Sequence, residues 1–229
     1  MRSAVCPLVS YLALGALASE PSLAPAPAFG QPPLVIEPLS GGAPYATVFF
    51  LHGLGDSGHG WRGLIPQIDG EIPGLGGKIR YILPHADPQV VSVAPPGQPL
   101  PAWFDILRLD EFGPEDIDGL EKARQQIEGL IGGEIAAGTP PERIVLAGFS
   151  QGASLALHVA MRTERPIAGA VSLSGWLSLM DAYPSSLSER AAKGEKKREA
   201  PNPNTRSNPS TIRPSHTPPK PTPPEASNL

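Results

Sequence analysis

Nucleophilic chemistry is written most plainly in Gly148-Phe149-Ser150-Gln151-Gly152, a G-x-S-x-G pentapeptide. A serine in this pattern attacks acyl carbonyls when a sharp strand-to-helix turn lifts its hydroxyl above the end of a sheet. Only small residues fit on either side of so tight a turn. Gln151 would then open the helix, with its N–H aimed at a developing oxyanion. A second Gly-rich stretch, His52-Gly53-Leu54-Gly55-Asp56, follows an apolar run. In serine acyl-transfer sites an early His-Gly loop supplies the other oxyanion N–H, here that of Leu54. The same stretch also reads as G-x-G-x-x-G from Gly53 to Gly58, a dinucleotide fingerprint. That alternative needs a helix after the glycines and an acidic residue about 20 positions on, at the tip of the next strand. Leu83-Pro84-His85 stands at that tip instead.

Serine acyl transfer also needs a base, and the chain order expected here is Ser, then Asp or Glu, then His. After Ser150 the sequence offers Asp181, His158 and His216. Asp181 follows the next strand directly. His158 falls inside the helix behind the serine. His216 lies in Pro-Ser-His-Thr-Pro-Pro, far into a polar tail. A general base must be held within hydrogen-bond reach of the proton it takes. Without its histidine, a triad serine loses about a million-fold in rate, and roughly 10³–10⁴-fold over water remains.

Alternating strands and helices must position these residues. Tyr45 to Leu51 is a continuous apolar run, as expected of a strand buried on both faces. A short helix is expected near Trp61 to Ile68. Lys78 to Leu83 reads as the next strand, followed by a proline-rich loop from Pro84 to Pro101 with a short strand at Val90–Val93. Glu115 to Ala137 reads as a helix, with Ile117, Leu120, Ile127, Leu130, Ile131 and Ile135 at helical spacing and Gly138 ending it. Arg143 to Phe149 is a strand, Gly152 to Arg162 a helix, and Ile167 to Ser174 a further strand. This alternation predicts an α/β fold with a mostly parallel sheet.

Composition bounds the rest. Gly 25 and Pro 30 are about twice average usage. No Gly-X-Y period exists, and Cys6 is the only cysteine, so collagen and disulfide scaffolds are excluded. Residues 1–181 carry 10 Lys+Arg against 18 Asp+Glu, whereas residues 182–229 carry 8 against 4. The acidic body argues against a nucleic-acid partner. Residues 1–18 resemble a signal peptide, with Arg2, an apolar run and Ala16-Leu17-Ala18 before Ser19. A plain apolar leader and acylation at Cys6 are the alternatives. Removal of that segment would leave no transmembrane span. Residues 19–33 read as a stiff Pro/Ala linker. Residues 34–181 are the expected domain. Residues 182–229 are expected to be a disordered, Pro-rich basic tail.

The body resembles the acyl-protein thioesterase / phospholipase–carboxylesterase family of α/β-hydrolases. The stretches that carry the resemblance are Val48 to Trp61, Ile82 to Ala86, Trp103-Phe104-Asp105, Pro141 to Ser154 and Leu173 to Leu177. It implies an α/β-hydrolase-like sheet whose C-terminal strands and helix are missing from this sequence, as in a truncated or misspliced chain. The strand Ile167–Ser174 would then expose an apolar edge and face. It implies hydrolysis of fatty-acyl thioesters on proteins, or of carboxylic esters and lysophospholipids, through an acyl-Ser150 intermediate. Leu54 and Gln151 N–H groups would hold the oxyanion. Trp103 and Phe104 would line or support the acyl site, or serve simply as core aromatics. No metal or organic cofactor is implied. The family's Asp and His blocks are absent, so an inactive chain or a non-catalytic acyl-binding protein stays open, as does the nucleotide reading. The family is usually cytoplasmic, whereas residues 1–18 point to the secretory route. The oligomeric state is left open.

Overall fold

A computed structural model describes residues 29–108 and 114–193. The expectations for residues 1–18, Cys6, most of the linker, His216 and most of the tail lie outside the described residues.

The sheet begins with β1 (Leu34–Ile36), β2 (Ala46–Leu51) and β3 (Ile79–Leu83). It is completed by β6 (Ile144–Phe149) and β7 (Gly169–Leu173). The strand order is β1-β3-β2-β6-β7. Only β1 runs antiparallel to its neighbour; the β2–β3, β2–β6 and β6–β7 pairs are parallel. β2, β3, β6 and β7 therefore end at the same edge. That edge carries His52, His85 and Ser150, at the carboxyl ends where open parallel sheets place their ligands.

Helices cover both faces. On one side lie α2 (Ile117–Ala136) and α3 (Gln151–Arg162). Phe49, Leu51, Ile144 and Leu146 of the sheet pack there against Leu120, Ile127, Ile131, Leu155 and Val159. On the other side lies α1 (Ile65–Gly70), where Phe50, Tyr81, Leu83 and Ala147 pack with Ile65. The run Val48-Phe49-Phe50-Leu51 is apolar throughout because alternate side chains enter different cores.

Several boundaries differ from the sequence reading. The expected strand at Val90–Val93 does not form. A two-stranded antiparallel pair of β4 (Pro88–Gln89) and β5 (Leu100–Pro101) stands beside it. Asp105 holds Ser92 out of a ladder, accepting from its N–H and its hydroxyl, each at 2.6 Å. The expected helix at Trp61–Ile68 divides into a single 3-10 turn, Gly58–Trp61, and α1. α2 starts at Ile117 because Asp116 caps it, accepting the Gly119 N–H at 2.9 Å. Ile117 faces solvent rather than the core.

The described chain also continues past Asp181, where the sequence reading placed the domain's end. A 3-10 turn, Met180–Ala182, leads to a short helix α4 (Glu189–Ala192). Polar contacts hold this stretch. Ser188 N–H donates to Met161 O at 2.9 Å, and the Arg190 guanidinium donates to Ala160 O at 2.9 Å and Thr163 O at 3.3 Å. Those carbonyls belong to the end of α3, where a cation suits the helix dipole.

β7 closes the described sheet. The β6–β7 register sets Ala147 beside Val171 and Phe149 beside Leu173. Trp61 stacks on Phe149, but nothing described covers the outer strand, and Val171 and Leu173 are 48 % and 40 % exposed. An uncovered apolar strand at a sheet edge promotes self-association. Val171→Lys is therefore expected to raise the concentration at which light scattering detects aggregates, with unfolding free energy changed by no more than about 0.5 kcal/mol. Unchanged scattering would show that this strip does not drive association.

Candidate active site

The turn between β6 and α3 is built by exclusion. A Cβ on Gly152 would lie 2.3 Å from Leu51 O and 2.4 Å from His52 O. A Cβ on Gly148 would lie 2.4 Å from Gly152 O. Glycine at both positions lets α3 start directly against the ends of β6 and β2. Ser150, between them, is held at φ 52, ψ -118, a backbone region costly for a residue with a side chain. Its N–H donates to Leu173 O at 2.9 Å, and its carbonyl accepts from Ala153 and Ser154 N–H at 3.0 and 3.1 Å. The elbow is thus tied to β7 behind and to α3 ahead. Gln151, first residue of α3, contributes one of the N–H groups that a helix leaves without an intrahelical partner.

The His-Gly loop comes up against this turn. A Cβ on Gly53 would lie 3.1 Å from the Phe149 ring and 3.5 Å from Ser150 Cβ. Asp56 N–H donates to Gly53 O at 3.2 Å, with Gly55 at φ 77, as a tight turn with a left-handed third residue requires. Gly55 N–H donates to Pro101 O at 2.8 Å. Leu54 therefore sits half-buried at the turn's corner, one residue from the contact with Ser150. The Gly53–Gly58 pattern leads only into the 3-10 turn Gly58–Trp61. It offers no long helix whose N-terminus would receive a pyrophosphate.

Trp103 and Phe104 are both buried. Trp103 Nε1–H donates to His52 O at 2.8 Å, and the Phe104 ring meets Trp176 edge-on with centroids 6.2 Å apart. Gln151 ties their backbone to the elbow. Its Oε1 accepts from Trp103 N–H at 3.1 Å, and its Nε2 donates to Phe104 O at 2.7 Å. Nothing in the sequence pattern signals these two bonds.

The phospholipase/carboxylesterase family model matches residues 35–194. The chain belongs to the phospholipase/carboxylesterase family. It is similar to acyl-protein thioesterase 1 of Mycosarcoma maydis, 45% identical over 156 residues, covering 64% of this chain and 63% of that protein. Acyl-protein thioesterase 1 of Schizosaccharomyces pombe is 38% identical over 146 residues, covering 64% of this chain and 62% of that protein. Among solved structures, Zea mays acyl-protein thioesterase 2 superimposes with a TM-score of 0.57 at 31% identity, covering 70% of each chain. The chain spans less than two thirds of the length of the curated relatives it matches. The α/β-hydrolase fold expected from the sequence is the fold of these family members.

The four described histidines of this family member have other work. His52 is fully buried. Its Nε2 accepts from Ala86 N–H at 3.1 Å and its Nδ1 lies 2.8 Å from Gly53 O. The acceptor role fixes Nε2 without a proton, so Nδ1 carries it and the ring is neutral. Burial pushes its pKa down, opposed by the bond to Gly53. His85 Nδ1 accepts from Gly58 N–H at 3.1 Å, and burial and the neighbouring His59 lower its pKa. The rings of His59 and His85 stack 4.8 Å apart. His158 is buried in α3, with Nδ1 3.0 Å from the Arg162 guanidinium. Among the described residues no hydrogen bond joins any of them to Ser150. Asp181 lies exposed in the 3-10 turn beyond β7.

His158 makes stability pH-dependent. Burial, then the Arg162 charge, push its pKa down to about 4 against an opposing contribution from Glu121. The folded state holds it neutral, while the unfolded chain protonates it near its ordinary value of 6.5. Its contribution is complete above that value and is lost as pH falls from 6.5 through about 4. The full loss is roughly 3 kcal/mol. In His158→Leu, unfolding free energy is expected to fall less steeply across this window than in the parent. Equal slopes by denaturant titration would rule the contribution out.

Proposed function

We propose that the chain carries the nucleophile and oxyanion half of a serine acyl-hydrolase site acting on fatty-acyl thioesters of proteins or on carboxylic esters and lysophospholipids. The observation that carries this reading is the strained Ser150 at φ 52 between two glycines, with Gly53 beside it, where an added Cβ would lie 3.5 Å from Ser150 Cβ. Strain of this kind persists only where surrounding structure over-determines it, and it clusters at catalytic turns.

In the reaction, Ser150 Oγ attacks the acyl carbonyl carbon and loses its proton to a base. The tetrahedral oxyanion lies between the N–H groups of Leu54 and Gln151. Removing one such donor typically costs about 2.7–4 kcal/mol of transition-state stabilisation. The thiolate or alkoxide then leaves, taking a proton, and water releases the fatty acid from acyl-Ser150. Trp103 and Phe104 form the wall beneath the acyl site, with Trp176 beside Phe104. The names of the similar proteins in Mycosarcoma maydis and Zea mays support a thioester substrate.

The occupied histidines favour a second reading, in which the chain binds acyl groups without turning them over. Both readings are tested with p-nitrophenyl octanoate, whose leaving group departs without acid assistance. Intact-mass and peptide mapping are expected to find an octanoyl group accumulating on Ser150 and absent from Ser150→Ala. It accumulates because acyl-Ser150 is an alkyl ester, far less reactive towards water than the p-nitrophenyl ester from which it forms. Saturable ester binding with no adduct on Ser150 would support the binding protein and contradict the nucleophile.

A further inference from the structure

The Gln151 side chain is buried completely, yet it sits at the mouth of the elbow. Its amide spans two consecutive peptide groups. Trp103 N–H donates to Oε1 at 3.1 Å, and Nε2 donates to Phe104 O at 2.7 Å. Trp103 in turn donates its indole N–H to His52 O at 2.8 Å. His52 Nδ1 donates to Gly53 O at 2.8 Å, while its Nε2 receives Ala86 N–H at 3.1 Å. Gly53 lies beside Phe149 and Ser150, so that a Cβ there would come 3.1 Å from the Phe149 ring and 3.5 Å from Ser150 Cβ. The contacts therefore close a circuit: Ser150, Gln151, Trp103, His52, Gly53 and back to Ser150. Leu54 follows Gly53 directly. The two N–H groups assigned to the oxyanion lie on this circuit or one residue from it.

The geometry points to the Gln151 side chain as a positioning residue that sets the distance between the Leu54 and Gln151 N–H donors. The inference rests on the oxyanion reading given above. Only an amide serves both ends of the clamp, because one end needs an acceptor and the other a donor. Methionine fills the space but makes neither bond. An ionised carboxylate accepts from Trp103 N–H but meets Phe104 O with like partial charge. A protonated carboxyl group supplies both functions again. Buried polar groups left unpaired cost about 1–3 kcal/mol each, so the loop 102–104 would shift to find other partners. A shift there moves His52 O and with it the His-Gly loop.

The test uses the full 229-residue chain, ¹⁵N-labelled, with octanesulfonate as probe. This tetrahedral anion resembles the oxyanion intermediate and stays ionised across the pH range used. In the parent chain, the Leu54 and Gln151 amide resonances are expected to shift together and saturably. In Gln151→Met, affinity per folded molecule is expected to fall at least about tenfold, with the two amides no longer moving together. In Gln151→Glu, binding is expected to be equally weak near about pH 8 and to return toward the parent value near about pH 5, as the buried carboxyl group takes up its proton. A side chain that merely filled space would give no such return. Parent-like binding in Gln151→Met, or no recovery on acidification in Gln151→Glu, would overturn the positioning role alone. If Gln151→Met does not fold, the Gln151→Glu pH profile decides. Absence of amide shifts in the parent itself would instead refute the oxyanion reading on which the inference stands.

Discussion

Everything at the carboxyl edge of the sheet depends on one backbone constraint, the positive-φ conformation forced on Ser150. α3 begins so close to β2 that a single Cβ on Gly152 would enter the Leu51 and His52 carbonyls. In that space the chain leaves β6 and enters α3 by turning through φ 52 at Ser150, a residue that is not glycine. Such a conformation costs on the order of 1–3 kcal/mol and must be offset by its surroundings. The surroundings are visible: Leu173 O takes the Ser150 N–H, and two α3 N–H groups take its carbonyl. β7 therefore matters to the elbow, even though much of its own surface is exposed.

A second layer of structure keeps polar groups paired beneath the site. His52 and Gln151 are fully buried beside aromatic rings, in surroundings where an unmatched donor or acceptor is expensive. Each has its hydrogen-bonding atoms matched by backbone groups of loops that have no ladder to hold them. The loops after β2 and β3 and the segment 102–104 thereby acquire fixed relations without lying in a sheet. The same burial keeps the His52 ring neutral, so it acts as a scaffold and offers no free nitrogen to a proton in transit.

How far the sequence could be read follows from the kind of force involved. The central strands were legible because burial on both faces requires continuous apolar runs, such as Val48 to Leu51. The elbow was legible because its steric limits admit only glycine at 148 and 152. The strand expected at Val90–Val93 failed because Asp105 captures Ser92, a competition between side chain and ladder that residue preferences do not register. The docking of residues 183–192 was illegible for a related reason. The Ser188 N–H and the Arg190 guanidinium donate to carbonyl groups at the end of α3, and no apolar period marks such a contact. The clamp by Gln151 is of the same sort: its partners are backbone groups 47 and 48 residues away.

The central claim is that the fold, and not a bound substrate, holds Ser150 in its strained conformation. The most direct measurement is the unfolding free energy of Ser150→Gly relative to Ser150→Ala. At an ordinary helix or strand position glycine is the less stable of the two by roughly 0.5–1 kcal/mol, because it loses more backbone freedom on folding. At a position held at φ 52 the order should reverse, with Ser150→Gly more stable by about 1 kcal/mol or more. A less stable Ser150→Gly would mean that the free chain relaxes the turn, and the site would not be preformed.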